Sequence, residues 1–455
     1  MTTTTLDAAA ITRLTAQPVP RYTSDPTAPH FHPGIDAATY ASWLAALPAQ
    51  ARLSLYAHIP FCDTLCWFCG CSTKITHRYA PISTYLDALA HEIDTVASLI
   101  PPGAVADHIH WGGGSPTILS PSDITRLASL LRQRFTLAPN ADFAVEVDPR
   151  GMGQDRIDAL VEAGLTRVSI GVQDFDPDVQ RAINRVQTVA ETRAVVDAFR
   201  AGGVRSLNID AIYGLPGQHL EQLSRTLAEV IALAPDRIAL FGYAHVPWMK
   251  KHQSLIPAND LPGVVERHAQ AEAAARILKD AGYIRVGIDH FARPDDALAQ
   301  AATTGSVQRN FQGYTLDPAD ALIGLGASAI GRLPQGHVQN EAATGIYQTA
   351  VSAGRLATTR GIALSPDDRL RGAVIERLMC DLTFSAPALT AAFGPAAVPV
   401  LEIARAILAE DDEGFVTPTA DGFRVTEAGR PFLRILAARF DAYLPQRAAG
   451  HSSAV

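Results

Sequence analysis

Four of the chain's five cysteines fall in one short segment, Cys62-Asp-Thr-Leu-Cys66-Trp-Phe-Cys69-Gly-Cys71. Thiolates are soft donors that favour zinc, copper(I) and iron-sulfur clusters. Three cysteines spaced by three and then two residues can reach three corners of an iron-sulfur cubane. The fourth corner then has no obvious protein ligand. The competing chemistry is a structural zinc site, which takes four Cys or His ligands, commonly as two separated pairs. Here the cysteines crowd into a single loop, and Cys380 stands alone. A cubane with one open iron is therefore the expected chemistry.

Such a loop needs a scaffold. The chain has 455 residues, 47% of them hydrophobic and 18% charged, enough for one large domain and a smaller one. Between about residues 50 and 245, short apolar runs alternate with amphipathic stretches, the pattern of repeated βα units around a parallel sheet. Six strands are expected, at Leu53–Ile59, Ala106–Trp111, Phe143–Val147, Arg167–Val172, Ser206–Tyr213 and Arg237–Tyr243. Helical spacing is clearest over Ile82–Ile100, where Ile82, Leu86, Leu89, Ile93, Val96 and Ile100 share a face. Ser120-Pro121 reads as an N-cap followed by a first-turn proline. Six units suggest an open, partial barrel, although pattern alone leaves a closed barrel of eight open.

Ligands of parallel α/β folds gather at the carboxyl ends of the strands. The unusual residues of this chain recur there. The first strand runs into the cysteine loop and the second into Gly112-Gly113-Gly114-Ser115-Pro116. The third ends in Glu146-Val-Asp148-Pro149, the fourth in Gln173-Asp-Phe, the fifth in Asp210-Ala-Ile-Tyr213 and the sixth in Tyr243-Ala244-His245. Taken singly, a glycine run is a turn and a strand-end carboxylate a helix cap. Together they would surround one crevice.

Outside the barrel, residues 1–50 carry Pro18, Pro20, Pro26, Pro29 and Pro33 and read as an extended arm. Residues 364–455 read as a separate, mostly helical module. Helices are expected at Asp367–Cys380 and Val398–Glu410, a hairpin at Gly414–Thr417 and Phe423–Thr426, and a last helix to about Tyr443, an order resembling a winged helix. The acidic Glu410-Asp-Asp-Glu413 and the net charge of −8 argue against a nucleic-acid partner. No stretch is long and apolar enough to suggest a membrane span, and the opening residues lack a signal peptide's basic start and apolar core. A cytoplasmic location and a monomer are expected, the former consistent with free thiols.

Beyond the loop, Pro20-Arg-Tyr-Thr-Ser, Tyr56-Ala-His-Ile-Pro-Phe-Cys62, Trp111-Gly-Gly-Gly-Ser-Pro, Glu146-Val-Asp-Pro-Arg, Gly171-Val-Gln-Asp-Phe, Asn208-Ile-Asp-Ala-Ile-Tyr-Gly-Leu-Pro, His290-Phe-Ala-Arg-Pro-Asp-Asp and Arg309-Asn-Phe-Gln-Gly-Tyr-Thr span nearly the whole chain. In these the chain resembles the oxygen-independent coproporphyrinogen III oxidases of the radical S-adenosylmethionine (SAM) superfamily. The resemblance implies a partial (β/α)6 barrel and a 4Fe-4S cluster held by Cys62, Cys66 and Cys69. It also implies two SAM molecules, one of them on the open iron. The iron-bound SAM would contact Tyr56, Gly113, Glu146 and Ile330. The second would contact Phe68, Gly114, Ser115, Gln173, Arg185, Asp210 and Ala244. Ser115 stands where the family commonly has threonine, and Asp25 where tyrosine is common.

The implied reaction turns two propionates of coproporphyrinogen III into vinyl groups, giving protoporphyrinogen IX. A propionate β-hydrogen is too weakly acidic for a side-chain base, so a carbon radical must abstract it. An electron donor and an electron acceptor are required, and neither is written in the chain. Arg21 and Lys74 are candidate propionate ligands, and Phe311-Gln312 belongs to an aromatic segment expected near the mouth. Cys71, too close to Cys69 for comfortable tetradentate binding, is expected to have a redox or substrate role. His58 is expected to hydrogen-bond near the cluster, and Cys380 to be a buried apolar side chain. Two alternatives compete, a haem-binding chaperone of the same superfamily and a zinc-stapled regulator. The chaperones typically lack the counterpart of Cys71.

Overall fold

The computed structural model describes residues 6–16 and 18–444. Six parallel strands form the centre: β1 (Arg52–Ile59), β2 (Val105–Gly113), β3 (Thr136–Val147), β4 (Arg167–Gln173), β5 (Ser206–Tyr213) and β6 (Arg237–Gly242). They pair in chain order, each parallel to the one before. Their apolar residues, among them Leu55, Ala57, Ile109, Trp111, Val145, Ile170, Ile209 and Leu240, form one continuous core with the surrounding helices.

Helix Ala80–Leu99 follows the cysteine loop and buries Ile82, Leu86, Leu89, Ile93 and Val96, the face its periodicity foretells. In helix Pro121–Arg134 the Ser120 side chain accepts from the Asp123 backbone N–H, with proline at the first turn. Three further helices of the barrel repeat, Gln154–Glu162, Val189–Ala201 and Leu220–Ala232, separate the later strands.

The sheet does not stop at six strands. Ala321–Leu325 returns to pair parallel with β1, and three antiparallel strands, Ile330–Leu333, Gly336–Asn340 and Thr358–Ala363, extend that edge. At the opposite edge His290–Ala292 pairs antiparallel with β6 and Ile284–Val286 follows it. The resulting twelve-stranded order runs from edge to edge, so the sheet is open and the eight-unit alternative does not occur. These flanking strands are short and glycine-interrupted, which hides their period in the sequence.

One buried carboxylate ties the return strand to the barrel. Glu92, on helix Ala80–Leu99, accepts from the Gly326 N–H, Asn340 Nδ2 and Tyr347 Oη, each at 2.6 Å. Burial pushes its pKa up to about 7, against these three bonds.

A second core gathers residues of the carboxyl-terminal region, including Leu370, Leu378, Phe384, Val400, Phe423, Phe432 and Phe440. The expected hairpin is Val416–Thr419 with Gly422–Val425, and a third strand, Thr383–Ser385, joins it. Two helices differ from expectation. The last is only Leu433–Ala438, after a 3-10 turn at Arg430–Phe432, and Ala386–Phe393 is an additional one. The stretch 386–409 has the length and mean hydropathy of a membrane span, contrary to expectation. It is nonetheless two helices, interrupted at Gly394, whose φ of 56° departs from helical geometry.

The amino-terminal arm also corrects expectation, because it carries helices Ala8–Thr15 and Ala37–Ala45. The side chains of Asp7 and Asp36 cap them by accepting from Ala10 and Thr39 N–H groups. Tyr22 inserts into the second core, and its hydroxyl donates to Asp441 at 3.0 Å.

Candidate radical site

The cysteine loop and the ends of β2 to β5 enclose one cavity. Its walls include Cys62, Cys66, Cys69 and Cys71 on one side and Gly113, Gly114, Glu146, Gln173 and Asp210 on the other. Phe68 and Arg185 also line it. With Asp148, twelve of the residues singled out from the sequence thus meet in one place.

The loop is held from outside. The segment after β6 folds back over it, with Lys250 Nζ donating to the Cys71 carbonyl at 3.0 Å and Gln253 Nε2 to the Phe68 carbonyl at 2.9 Å. His252 Nε2 bonds the Cys69 carbonyl at 2.8 Å. From within, His58 bonds the Ser72 carbonyl through Nε2 and meets the Tyr56 hydroxyl at Nδ1, 2.9 and 3.0 Å away. The expectation that His58 acts near the cluster is met at the loop backbone. Burial lowers its pKa, so the ring is neutral.

Each of the three candidate cluster thiols has its own donor. Thr73 Oγ1 lies 3.2 Å from Cys62 Sγ, and the Cys71 N–H lies 3.4 Å from Cys69 Sγ. Cys66 Sγ receives two guanidinium groups, Arg150 Nη2 and Arg185 Nη1, both at 3.4 Å. Burial pushes Cys62 up to about 12, whereas the hydrogen bond with Cys71 brings Cys69 down to about 6. Among the described residues no three His, Cys, Asp or Glu side chains converge on a single ion. A cubane asks for something else: separate thiolates, each facing its own iron, with donors on the sulfurs. The donor set fits that group.

Asp148 organises the two arginines. It accepts from Arg150 Nη2 at 2.6 Å and Arg185 Nη1 at 3.1 Å. Burial alone would raise its pKa, but Arg185 and then Arg150 outweigh burial and hold it below the usual carboxylate value. Arg185 donates as well to the Gly171 carbonyl at 2.5 Å, so its guanidinium is already oriented. Arg150 was not singled out from the sequence. Its position in Glu146-Val-Asp-Pro-Arg150, two residues past a strand-end acid, was the available signal.

The glycines at the end of β2 have a packing reason. A Cβ on Gly112 would lie 2.6 Å from Glu146 Oε1, one on Gly113 2.8 Å from the His58 ring, and one on Gly114 2.6 Å from the Phe61 carbonyl. Gly113 also has φ of 118°, and its N–H donates to Glu146 at 3.2 Å. Gln173 is in the left-handed region at φ 70°, a costly conformation for a residue with a Cβ. The following turn is pinned by fully buried Asp174, which accepts from Gln218, Thr226 and the Asp176 N–H. Asp210 accepts from Asn208 at 2.7 Å and Ser169 at 3.1 Å, and burial followed by Glu146 raises it to about 6.

Several expected site residues do not themselves line this cavity. Ser115 is buried just beyond the glycines, bonded to Thr117 rather than facing the cavity. Tyr56 stands on β1, its hydroxyl on His58 and its ring 5.8 Å from that of His110, which bonds Glu146 on the cavity wall; it pairs in register with Gly324, and a Cβ on Gly324 would strike the Ile330 carbonyl. Ala244 follows β6, outside the cavity wall. Phe311 packs its ring 5.9 Å from His337 and lines a different cavity, with Tyr22, Asp25 and Arg309. Gln312 follows it, its Nε2 buried and without a hydrogen-bond partner. Lys74 is exposed on a short ladder beside Phe61 and Cys62 and lines neither cavity. Cys380 is buried among Val286, Leu298 and Tyr314, as expected.

A profile of the Radical SAM superfamily matches residues 56–230, and one of the HemN C-terminal domain matches residues 364–432. The fold and the cysteine-lined cavity are therefore those of a radical SAM enzyme. The oxygen-independent coproporphyrinogen III oxidase of Bradyrhizobium diazoefficiens is 48% identical, covering 96% of this chain and 97% of its own. That of Paracoccus denitrificans is 46% identical, covering 96% of each. The solved structure of coproporphyrinogen III oxidase from Escherichia coli, described as a radical SAM enzyme, is 38% identical. It superposes with a TM-score of 0.88 over 93% of this chain and 98% of that one. The chain belongs to the oxygen-independent coproporphyrinogen III oxidase family.

Proposed function

We propose that the cavity between the cysteine loop and the ends of β2 to β5 is where this enzyme begins the radical decarboxylation of coproporphyrinogen III to protoporphyrinogen IX. The observation that carries the reading is the meeting, on one cavity, of three donor-supplied thiols with the polar ends of four parallel strands. Cys62, Cys66 and Cys69 would hold a 4Fe-4S cluster and leave one iron to SAM, the pair supplying a carbon radical for hydrogen abstraction.

The chain's own residues position and shield. Arg150 and Arg185 place positive charge at Cys66 Sγ, which favours thiolate and electron arrival. Gly113 and Glu146 would offer a close backbone approach and a carboxylate to the iron-bound SAM. Phe68, Gly114, Gln173, Arg185 and Asp210 line the place for a second SAM. The Phe68 ring packs beside Val179, Ile183 and Tyr243, which fixes an aromatic surface for adenine. Tyr56, Ser115, Ala244 and Ile330 act at one remove in this reading, through the walls behind these groups. Cys71 lines the cavity and donates its N–H to Cys69, which gives it a place beside the cluster. The donor and acceptor of electrons are separate molecules, and all five cysteines are free thiols, as a reducing cytoplasm would keep them.

The test is anaerobic reconstitution with iron, sulfide, SAM, a strong reductant and coproporphyrinogen III. Chromatography should show the tricarboxylic intermediate and then protoporphyrinogen, trapped as protoporphyrin. Haem binding without release of carbon dioxide would instead identify a carrier.

A further inference from the structure

Beside the radical cavity, where β5 and β6 end, lies a second cavity lined by Arg21, Arg267, Arg285, Arg309 and Arg434, with Asp289 the one carboxylate on its wall. We propose that this cavity anchors the carboxylates of the tetrapyrrole that are not undergoing reaction, so that three regions of the chain grip the substrate while the barrel acts on it. The inference rests on coproporphyrinogen III being the substrate.

Its first support is how the arginines are held. Arg21 Nη2 donates to the Gly242 carbonyl at 2.6 Å and Arg267 Nη2 to the Tyr243 carbonyl at 2.7 Å. Arg309 donates through Nε to the Tyr22 carbonyl and through Nη2 to the Arg21 carbonyl, at 3.1 and 3.2 Å. Arg285 donates twice to the Ile288 carbonyl and alone of these has a further carboxylate near it, Glu272 Oε1 at 3.8 Å from Nη1. Backbone carbonyls fix the direction of a guanidinium without neutralising it. Asp289 is itself engaged by His290, at 2.8 Å.

The second support is unspent donor capacity. Arg267 Nε and Arg309 Nη1 are buried and have no hydrogen-bond partner. A buried N–H without a partner is costly, and a cluster of like charges more so, unless something outside the chain completes it. Burial, and then the charge of Arg21, bring Arg434 down to about 10. Arg237, at the start of β6, differs in having a carboxylate partner, Asp296 at 2.9 Å, although its Nη1 is also buried without a hydrogen bond. Planar guanidinium forks match carboxylates in bidentate fashion, and a substrate with four propionates has carboxylates to spare.

Location supplies the third. Tyr213, on this cavity, follows Asp210, on the radical cavity, by three extended residues at the end of β5. Arg21 comes from the amino-terminal arm and Arg434 from the carboxyl-terminal helix, so the site exists only when both flank the barrel.

Steady-state kinetics on reconstituted holoenzyme test this with Arg21→Gln, Arg267→Gln and Arg267→Lys. The expected result is a KM for coproporphyrinogen III raised about tenfold or more by either Gln variant. SAM affinity and the cluster's EPR signal stay at wild-type values, and the Lys variant recovers part of the loss. Wild-type KM in both Gln variants would overturn the proposal. So would a fall in SAM affinity at unchanged porphyrinogen KM, which would make the arginines part of the nucleotide site. Should Arg267→Gln lose its cluster, Arg21→Gln decides alone, because Arg21 is exposed on the arm. Wild-type enzyme that fails to consume coproporphyrinogen III would contradict the assigned reaction and not the site.

Discussion

The thiols of this site are arranged unequally. Cys66 faces two guanidinium groups, while Cys62 has only a hydroxyl and Cys69 a backbone N–H. Serine at Cys62, Cys66 or Cys69 should abolish both the brown colour and turnover, since an alkoxide precursor binds iron far less readily than a thiolate. Arg150→Ala should leave the colour but lower the cluster's reduction potential in an EPR-monitored titration, because it removes positive charge beside a sulfur. Asp210 carries a pH prediction. Its pKa of about 6 means that the carboxylate, able to accept from ribose hydroxyls, predominates above that value. SAM affinity should fall as pH drops through about 6, and Asp210→Asn should flatten the profile. Asp25 shows burial altering an apparent threat to an anionic substrate. Burial, with Asp441 and Asp368 nearby, raises it to about 8, so it is mostly protonated near neutrality and repels little.

At the level of elements, the barrel was legible because its signals are redundant. Strands Leu53–Ile59 and Ser206–Tyr213 are apolar runs closed by chemistry-bearing residues, and the helix after the cysteine loop shows its buried face in its spacing. The cavity followed from the rule that strand ends converge. What escaped were contacts between parts distant in sequence. Nothing local about Lys250, His252 or Gln253 announces that they bond the cysteine loop, and a strand as short as Ala321–Leu325 has no period to read. Phe311 and Ile330 were placed by motif rather than geometry; Ile330 begins a flanking strand, Phe311 sits in a separate short hairpin, and neither lines this cavity. Glu92 belongs to this scale too. Its proton is held more tightly in the folded chain, at about 7 against 4.5 ordinarily, so stability falls as pH rises between those values. The loss amounts to up to about 3 kcal/mol. Thermal melts of Glu92→Gln should show less decline over that window, and Glu92→Ala should melt lower throughout because three donors lose their acceptor.

For the molecule as a whole, the two flanking regions are joined to each other and not only to the barrel. Tyr22 buries its ring in the carboxyl-terminal core and bonds Asp441, while Arg13 pairs with Glu413 at 2.6 Å. Tyr22→Ala should cost about 3 to 5 kcal/mol of local stability. Limited proteolysis should then cleave the arm sooner, with absorbance of the cluster retained, since no cysteine of the loop touches this core. If the arm and the carboxyl-terminal helix supply the propionate grip, the same variant should also raise the KM for coproporphyrinogen III.

The segment that crosses the outside of the cysteine loop has a bearing on how the holoenzyme is made. Its three side-chain bonds fall on main-chain carbonyls at Phe68, Cys69 and Cys71, and so do not depend on any inorganic group. Bonds of this kind hold the loop backbone in one shape, which would spare cluster assembly the entropy of ordering a floppy thiol loop. Maturation then becomes a matter of filling a mould, and loosening that clasp should show first as slow or incomplete loading of the apoprotein.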